Sequence, residues 1–188
     1  MALTLNGSNN TIAGVAVGGL PDGIVDTDML AATAVTRAKS NLPGSILQVL
    51  QTSTTTAVTN TTTSFADTGL TGSITPSSSS NKVLITISQA YQVERNAGAN
   101  GGSIQLLRGS TVLNNILANN HGLYIYAAGV SQVTLYGVYN LTYLDSPSTT
   151  SATTYKTQGV CYTTSNSGQF ITQPGSAKSF MTLMEVSG

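Results

Sequence analysis

The sequence predicts an all-β protein whose main domain is an antiparallel β-sandwich of the jelly-roll type. Beyond Pro43-Gly44, apolar and polar residues alternate with a period of two, which is typical of half-buried strands. Turn-forming residues interrupt these runs roughly every 8 to 15 residues, and no helical pattern lies between them. About eight to ten strands without intervening helices pack best as two antiparallel sheets.

Residues 1–44 differ from the rest of the chain, and we interpret them as an attachment segment. The run TIAGVAVGGLPDG predicts extended chain that ends in a turn at Pro21. The run IVDTDMLAATAVTRAKS predicts one short helix over about residues 26–40, since Asp26 or Thr27 can cap its start and Arg37 lies near its end. Its apolar stripe is too narrow for a core of its own, so we expect it to pack against a partner.

The domain over residues 45–188 contains the predicted strands. In the clearest one, KVLITISQAYQVE, one face carries Val83, Ile85, Ile87, Tyr91 and Val93, interrupted by Gln89. The segment SIQLLRGSTVLNNIL predicts a hairpin with its turn near Gly109. Later strands are VSQVTLYGVYNLTYLD, TYKTQGVCYTT and the closing KSFMTLMEV. We interpret RNAGANGGS and SPSTTSATT as loops, and NNHGLYIYAAG as a loop with a short strand.

The chain carries very little charge. Seven Lys or Arg and seven Asp or Glu occur in 188 residues, giving a net charge of zero, whereas roughly a quarter of an average domain is charged. The lack of a basic stripe argues against a nucleic-acid partner. No apolar run approaches the roughly 18 to 20 residues of a membrane span, and the opening MALTLNGSNN does not predict a signal peptide.

This shortage of charge has a consequence for association. Charged side chains normally keep the edge strands of different β-proteins apart. A Thr-rich β-domain without them is expected to aggregate unless its edges and apolar patches are covered. A closed oligomer covers them most simply, so we expect self-association.

Residues suited to catalysis are scarce. The one histidine, His121, is better explained as a turn residue than as a member of a catalytic triad. Glu94 and Glu185 are the only glutamates, and no carboxylate pair with the spacing of a glycosidase is evident. The single cysteine, Cys161, is interpreted as a buried strand residue.

The acidic residues near the N-terminus do not predict a metal site. Asp22, Asp26 and Asp28 lack the spacing of an EF-hand loop, and helix capping explains them better. We therefore predict no enzyme activity, no cofactor and no bound metal.

Aromatic and amide side chains are the candidates for surface binding. Tyr124 and Tyr126 adjoin a loop of Asn and Gly and have the ring surface that stacks on sugars. The other candidate surface residues are Asn96, Asn100, Asn119 and His121. The remaining strand tyrosines, Tyr136, Tyr139, Tyr143, Tyr155 and Tyr162, are interpreted as core or subunit interface. The candidate residues for particle attachment are Ile12, Val15, Val17, Val25 and Met29.

Several segments resemble one family. The small-residue opening, IVDTDMLAATAVTRAKS, the junction PGSILQVLQ and the terminal FMTLMEV are similar to bacteriophage fibre-type virion proteins, especially those of marine and cyanobacterial phages. The resemblance implies a trimeric attachment or shaft segment followed by a trimeric β-sandwich head, placed on the tail or the capsid. With only about 44 residues before the sandwich, it favours a short fibre, a knob or a capsid-decorating protein over a long tail fibre.

The functional interpretation is a non-enzymatic virion protein assembled in the host cytoplasm. We expect a homotrimeric short fibre or knob whose partners are copies of itself and other proteins of the tail or capsid. Two alternatives remain open: a capsid cement protein that clamps capsid subunits, and a receptor-binding module whose loops contact a glycan of the host surface. A secreted module of the C1q or tumour-necrosis-factor type is a weaker alternative, because no signal peptide is predicted.

Overall fold

The computed structural model describes residues 4–6, 11–13, 42–115, 123–127, 129 and 132–188. The chain forms two compact units, Met1–Asn41 and Leu42–Gly188. In the first unit, strands β1 (Thr4–Asn6) and β2 (Thr11–Ala13) pair antiparallel, with Leu5 opposite Ile12. The helix predicted over about residues 26–40 lies outside the described residues.

The described part of the second unit is built almost entirely of strands. These are β3 (Ile46–Thr54), β4 (Val58–Asn60), β5 (Ala66–Ile74), β6 (Lys82–Arg95), β7 (Gly98–Arg108), β8 (Thr111–Asn115), β9 (Leu123–Ala127), β10 (Val133–Asp145), β11 (Thr153–Cys161), β12 (Gln169–Thr172) and β13 (Ser179–Val186). Two short 3-10 turns, Ser165–Ser167 and Pro174–Ser176, flank β12. None of the described residues forms a helix long and apolar enough to cross a membrane.

The strands form two antiparallel sheets packed face to face, so the predicted β-sandwich is confirmed. Sheet I has the order β3-β13-β6-β10, and β4 and β12 extend it along the second half of β6. Sheet II has the order β5-β11-β7, and β8 and β9 share the outer edge of β7.

Strand pairing in the second unit is nested. Strand β3 pairs with β13, β5 with β11, β6 with β10, and β7 with both β8 and β9. Successive pairs alternate between sheet I and sheet II, as they do when one long hairpin winds around a common core. This nesting is the jelly-roll arrangement.

The core lies between the sheets and follows the alternation that the sequence predicts. On β6, the residues Val83, Ile85, Ile87, Tyr91 and Val93 are all buried, as predicted. They pack against residues from both sheets, among them Leu70 of β5, Ile104 of β7 and Leu183 of β13. Burying these apolar side chains is the main favourable term in folding.

Gln89 interrupts the apolar face of β6 in the sequence, yet the structure buries it completely. Its side-chain amide donates to the hydroxyl of Thr68 on β5 (2.9 Å), which lies 2.6 Å from the hydroxyl of Thr157 on β11. A buried polar side chain is tolerated when it is hydrogen-bonded. Gln89 therefore contributes a polar link between the two sheets.

The segment RNAGANGGS is the main error of the sequence prediction. The structure places only a short bend at Asn96-Ala97, and β7 already begins at Gly98. The glycines allow close packing within a strand: a Cβ atom on Gly101 would lie 2.5 Å from the carbonyl oxygen of Leu123, and one on Gly102 would lie 2.2 Å from the Phe170 ring. Glycine in a strand can mark such close approach as readily as a turn.

Candidate functional site

The outer face of sheet I is formed by the outward residues of its long strands β6 and β10 together with those of β13 and β3. Because side chains alternate along a strand, every second residue of β6 and β10 points away from the core. The register aligns these residues in rows across the sheet. One row is Leu144, Leu84, Met184 and Val49; the next is Thr142, Thr86, Thr182 and Gln51; the third is Asn140, Ser88, Phe180 and Ser53.

This outer face has almost no charge. Along β6 the outward charged residues are Lys82 at one end and Glu94 at the other, and the outward residues of β3, β10 and β13 include no Asp, Glu, Lys or Arg. Lys178, between β12 and β13 in the chain, places its Nζ 5.4 Å from the centre of the outward-facing Phe180 ring, so one positive charge lies at this face. The face is thus hydroxyl, amide and apolar in character.

Strand β10 forms an edge of this face and exposes apolar side chains there. It spans 13 residues and, within the described part of the chain, pairs only with β6. Tyr136 is 67% exposed, Val138 56% and Leu144 49%. An edge strand with exposed apolar residues and no charged ones is a template for further pairing or packing.

Two open, shallow hollows lie on the outer face. A hollow of about 540 Å³ lies over the middle of the sheet, and a second of about 310 Å³ follows it along β6. The first is lined mainly by hydroxyls, amides and the Phe180 ring, and Gln51 Nε2 donates to Thr182 Oγ1 across it (3.1 Å). The second is mostly apolar and is lined by Ala90, Tyr91, Tyr136, Gly137, Val138, Pro174 and Ala177.

The candidate surface residues of the sequence do not form one cluster of exposed loops. Asn96 is exposed in the bend between β6 and β7. Asn100 was expected at the surface, and this expectation is wrong: it is fully buried in β7. Its amide donates to the carbonyl oxygens of Glu94 (2.7 Å) and Gln169 (3.2 Å), so its role is to tie β6 and β12 to β7. Asn119 and His121 lie outside the described residues.

Tyr124 and Tyr126 lie on β9, at an edge of sheet II. They are 45% and 71% exposed, and the ring of Tyr124 meets that of Tyr162 edge-on with 5.7 Å between centres. The register places Tyr124 opposite Gly101 and Tyr126 opposite Ala99, so small residues of β7 lie beside both rings. The two tyrosines therefore remain a candidate aromatic surface.

The candidate attachment residues lie in the first unit. Ile12 is in β2, opposite Leu5. Val15, Val17, Val25 and Met29 lie outside the described residues, so the attachment role of this group stays a prediction.

The two glutamates are far apart. Glu185 pairs in register with Val83, whereas Glu94 lies 11 residues further along the same strand, a separation of about 36 Å at roughly 3.3 Å per residue. Glycosidases hold their two carboxylates within about 10 Å. These two residues therefore do not form such a pair, and no cluster of three or more metal-ligating side chains occurs among the described residues.

Cys161 is fully buried at the end of β11, as the sequence predicted. Burial raises the pKa of its thiol, although hydrogen bonds to the Thr163 carbonyl and the Asn100 side chain oppose the shift. A buried thiol with a raised pKa is a poor nucleophile. The residue is a packing element of the core.

Sequence reasoning missed the outer face of sheet I, although a signal was present. The prediction from KVLITISQAYQVE concerns only the inward residues of this strand. The alternate residues from Leu84 to Gln92 include the polar Thr86, Ser88 and Gln92, as expected for a strand with one solvent-facing side, but none of them is charged. The lack of charge, and not the alternation, is the signal that distinguishes this face in the sequence.

Comparisons with known proteins add little to this description. No family model matches the chain, and no curated protein is similar to it. Among solved structures, the chain is similar to those of infectious bursal disease virus: 13% identity with a TM-score of 0.33 for the Gx strain, and 16% with 0.29 for the Gt strain. The matches cover 75% and 76% of this chain but only 37% of each viral chain. Likeness at this level carries no argument about function.

Proposed function

We propose that this chain is a non-enzymatic structural protein of a bacteriophage virion, a homotrimeric short fibre or knob anchored to the particle by its N-terminal segment. The jelly-roll domain supplies a rigid head, and residues 1–44 supply the attachment. The resemblance of both chain ends and of the junction PGSILQVLQ to phage fibre-type proteins supports this assignment.

The observation that carries the proposal is the edge strand β10. Its exposed Tyr136, Val138 and Leu144 form an apolar strip that a monomer in water would leave uncovered. Apolar surface of this kind, without charged gatekeepers, is expected to be buried in an assembly. A structural role in a particle assembled from many chains accounts for it.

Two measurements test the proposal. Light scattering of the purified chain should give three times the single-chain mass of 19.3 kDa. Antibodies raised against the chain should label purified virions in electron micrographs, at the tail for a fibre or knob. A protein that is monomeric and missing from purified particles would contradict the proposal.

The capsid cement role remains the first alternative. In that case the antibody would label the capsid surface instead of the tail. Deleting residues 1–44 would release the protein from the particle, and the capsid would then become fragile to heat or osmotic shock.

A receptor-binding role is the second alternative, and the exposure of Tyr124 and Tyr126 favours it. Aromatic rings at the surface stack on the apolar faces of sugars. Under this alternative, Tyr126→Ala should abolish binding to host cells while assembly stays intact. Val112→Ala, which removes another exposed apolar side chain of sheet II, should leave cell binding unchanged.

A further inference from the structure

We propose that the larger hollow on the outer face of sheet I binds an uncharged oligosaccharide. This site goes beyond the structural role proposed above, and it does not depend on the trimer. It lies on the sheet opposite to the one that carries Tyr124 and Tyr126, so it is distinct from the aromatic surface of the receptor-binding alternative.

The hollow exists because short side chains occupy the middle of the sheet. Thr86 and Ser88 on β6 and Thr182 on β13 are half-buried and form part of its lining. Larger side chains flank them, since the next row of the sheet contains Leu84, and Phe180 lies beside Ser88. The volume of about 540 Å³ falls within the range of roughly 300 to 1,000 Å³ that is typical of small-molecule sites. Because the hollow is open, its ligand stays partly in water, which suits a polar ligand.

The lining offers hydrogen-bonding groups that the protein itself does not use. Gln51 Nε2 donates to Thr182 Oγ1, and these two side chains are thereby held in place. The lining side chains that make no hydrogen bond to another described residue are those of Thr86, Ser88, Asn140 and Thr142. Hydroxyl and amide groups both donate and accept. Their complement is a ligand whose groups also do both, and hydroxyl groups have this property.

The outer face of sheet II differs in this respect, because its polar side chains pair with one another. Gln105 Nε2 donates to Gln158 Oε1 (2.9 Å), and Gln158 Nε2 donates to Asp67 Oδ1 (2.8 Å). Lys156 Nζ donates to the other oxygen of the same carboxylate (2.9 Å). Unused hydrogen-bonding capacity is thus a property of the hollow in sheet I, and not of every polar row on the sandwich.

Charge and ring surface identify the class of ligand further. None of the described residues that line the hollow is charged, and Lys178, although it lies near the Phe180 ring, is not part of the lining. A charged ligand would lose hydration here without gaining an ion pair. The Phe180 ring offers apolar surface against which the C–H face of a sugar can stack. An uncharged sugar combines both requirements.

A protein partner suits the hollow less well. Protein interfaces typically have an apolar centre and a polar rim. On this face the arrangement is reversed, because hydroxyls and amides occupy the middle, whereas the exposed apolar residues of β10 lie to either side: Leu144 on one side, Tyr136 and Val138 on the other. A ligand made mainly of hydroxyl groups therefore matches the middle of the face.

A panel of immobilised oligosaccharides tests the class of ligand. The probes are neutral di- to tetrasaccharides of glucose, galactose, mannose and N-acetylglucosamine, together with uronic-acid oligosaccharides of the same length. We expect neutral members of the panel to bind the full chain and the acidic members not to bind. The proposal is overturned if no neutral member binds at millimolar concentration, or if only acidic members bind.

Substitutions in the hollow test its location. Thr142→Val removes a hydroxyl at nearly constant size and Asn140→Ala removes an amide, both at exposed positions of β10. Each should weaken binding of the best neutral oligosaccharide roughly 2- to 10-fold, as expected for a lost hydrogen bond. Phe180→Leu, which removes the ring but keeps an apolar side chain, should weaken it by a similar factor. Thr154→Val is the matched control at an exposed position of β11 in sheet II, and it should leave the affinity unchanged.

The outcomes separate this site from the other proposals. Unchanged affinity in both Thr142→Val and Asn140→Ala would overturn the assignment of the hollow, and loss of binding in Tyr126→Ala alone would move the site to sheet II. Circular dichroism should show the same β-spectrum for all variants, and the two β10 variants decide the outcome if Phe180→Leu does not fold. A single-chain mass, or absence from purified virions, would contradict the function proposed above and leave the sugar site standing.

Discussion

The phenol of Tyr155 donates a hydrogen bond of 2.7 Å to the Oδ2 atom of Asp145, and this bond joins the two sheets. Tyr155 lies on β11 of sheet II, and Asp145 is the last residue of β10 in sheet I. Arg108 of β7 donates to both oxygens of the same carboxylate, at 2.9 and 2.8 Å. The end of the exposed edge strand is therefore fixed to the opposite sheet by two side chains.

Replacing Tyr155 with phenylalanine should weaken this link. Asp145 is almost completely buried, and a hydrogen bond to a charged group contributes about 1.5 to 3 kcal/mol. We expect Tyr155→Phe to lower the free energy of unfolding by about that amount in urea titrations. Combining it with Arg108→Met should cost more than the sum of the single changes, because Asp145 then loses both partners. Strict additivity would contradict the shared role of the carboxylate.

Tyr139→Phe is the same substitution at a tyrosine in a different setting, and it should not lower the stability of the fold. Tyr139 is buried on β10, and its hydroxyl has no hydrogen-bond partner among the described residues. Removing a buried polar group that lacks a partner is expected to be neutral or to stabilise by about 1 kcal/mol. Urea titration at pH 7 measures the difference, and a loss of stability comparable to that of Tyr155→Phe would contradict the expectation.

Tyr139 should also make the free energy of unfolding depend on pH in the alkaline range. Burial raises the pKa of Tyr139 to about 12, whereas an unfolded tyrosine titrates near pH 10. Because the folded pKa is the higher one, ionisation of Tyr139 favours the unfolded state: stability is unaffected below about pH 10 and falls as the pH rises toward 12. Between pH 10 and 12 the unfolding free energy should fall more steeply for the unaltered protein than for Tyr139→Phe. Parallel curves would contradict this assignment.

The sandwich could be predicted from the sequence because the alternation of apolar and polar residues that indicates it recurs in many strands. The alternation from Val83 to Val93 and the hairpin turn at Gly109 are local patterns, and the structure confirms both. Asn100 was misassigned because an Asn among glycines has the composition of a turn. Asn100 is held by the carbonyl oxygens of Glu94 and Gln169, and the Gln169 contact, on β12, is distant in sequence.

The candidate site was harder to predict for the same reason. Rows such as Thr142, Thr86, Thr182 and Gln51 exist only through the register of four strands that are far apart in the chain. The absence of charge was visible in the composition and led to self-association as a hypothesis, which stays a prediction. Which sheet face would carry it depended on strand order, which no local pattern specifies.

A tightly packed aromatic pair gives the next prediction. The rings of Tyr91 and Phe170 stack with 6.0 Å between centres. Gly137 and Gly102 flank the pair, and a Cβ atom there would lie 2.3 Å from the Tyr91 hydroxyl oxygen and 2.2 Å from Phe170 Cδ2 respectively. Overpacking a core typically costs about 1 to 3 kcal/mol. We expect Gly102→Ala to destabilise the fold by at least that much.

A compensating change separates steric crowding from other effects of the alanine. Phe170→Leu shortens the side chain that Gly102→Ala would meet, so the double variant should lose less stability than the sum of the two single variants. Thermal unfolding followed by circular dichroism measures all three. A double variant whose loss equals the sum would show that the Phe170 ring is not what restricts position 102.

Glu185 provides the last prediction, because it is a buried carboxylate that organises the tetraserine turn. It lies on β13 and is fully buried. Its Oε1 accepts hydrogen bonds from the backbone N–H (2.6 Å) and hydroxyl (2.7 Å) of Ser77 and from the side-chain amide of Asn81 (2.6 Å). The amide of Gln48 donates to Oε2 at 2.6 Å. Burial raises the pKa of Glu185, but these hydrogen bonds outweigh it, so the pKa lies below its ordinary value.

Glu185→Gln should therefore destabilise the protein markedly at neutral pH. The glutamine amide would direct N–H groups toward groups that now donate hydrogen bonds to the carboxylate. Leaving such donor groups unpaired costs about 1 to 3 kcal/mol each. Since the folded pKa is the lower one, the stabilisation by Glu185 is present above about pH 4.5 and is lost as the pH falls through the folded pKa. The difference in unfolding free energy between the unaltered protein and Glu185→Gln should thus shrink on acidification.

Glu94→Gln is the matched control. Glu94 accepts hydrogen bonds only from the side chains of Gln92 and Gln132 among the described contacts, so its replacement should cost less than about 1 kcal/mol. Equal losses for the two variants in urea titrations at pH 7 would contradict the structural role of Glu185.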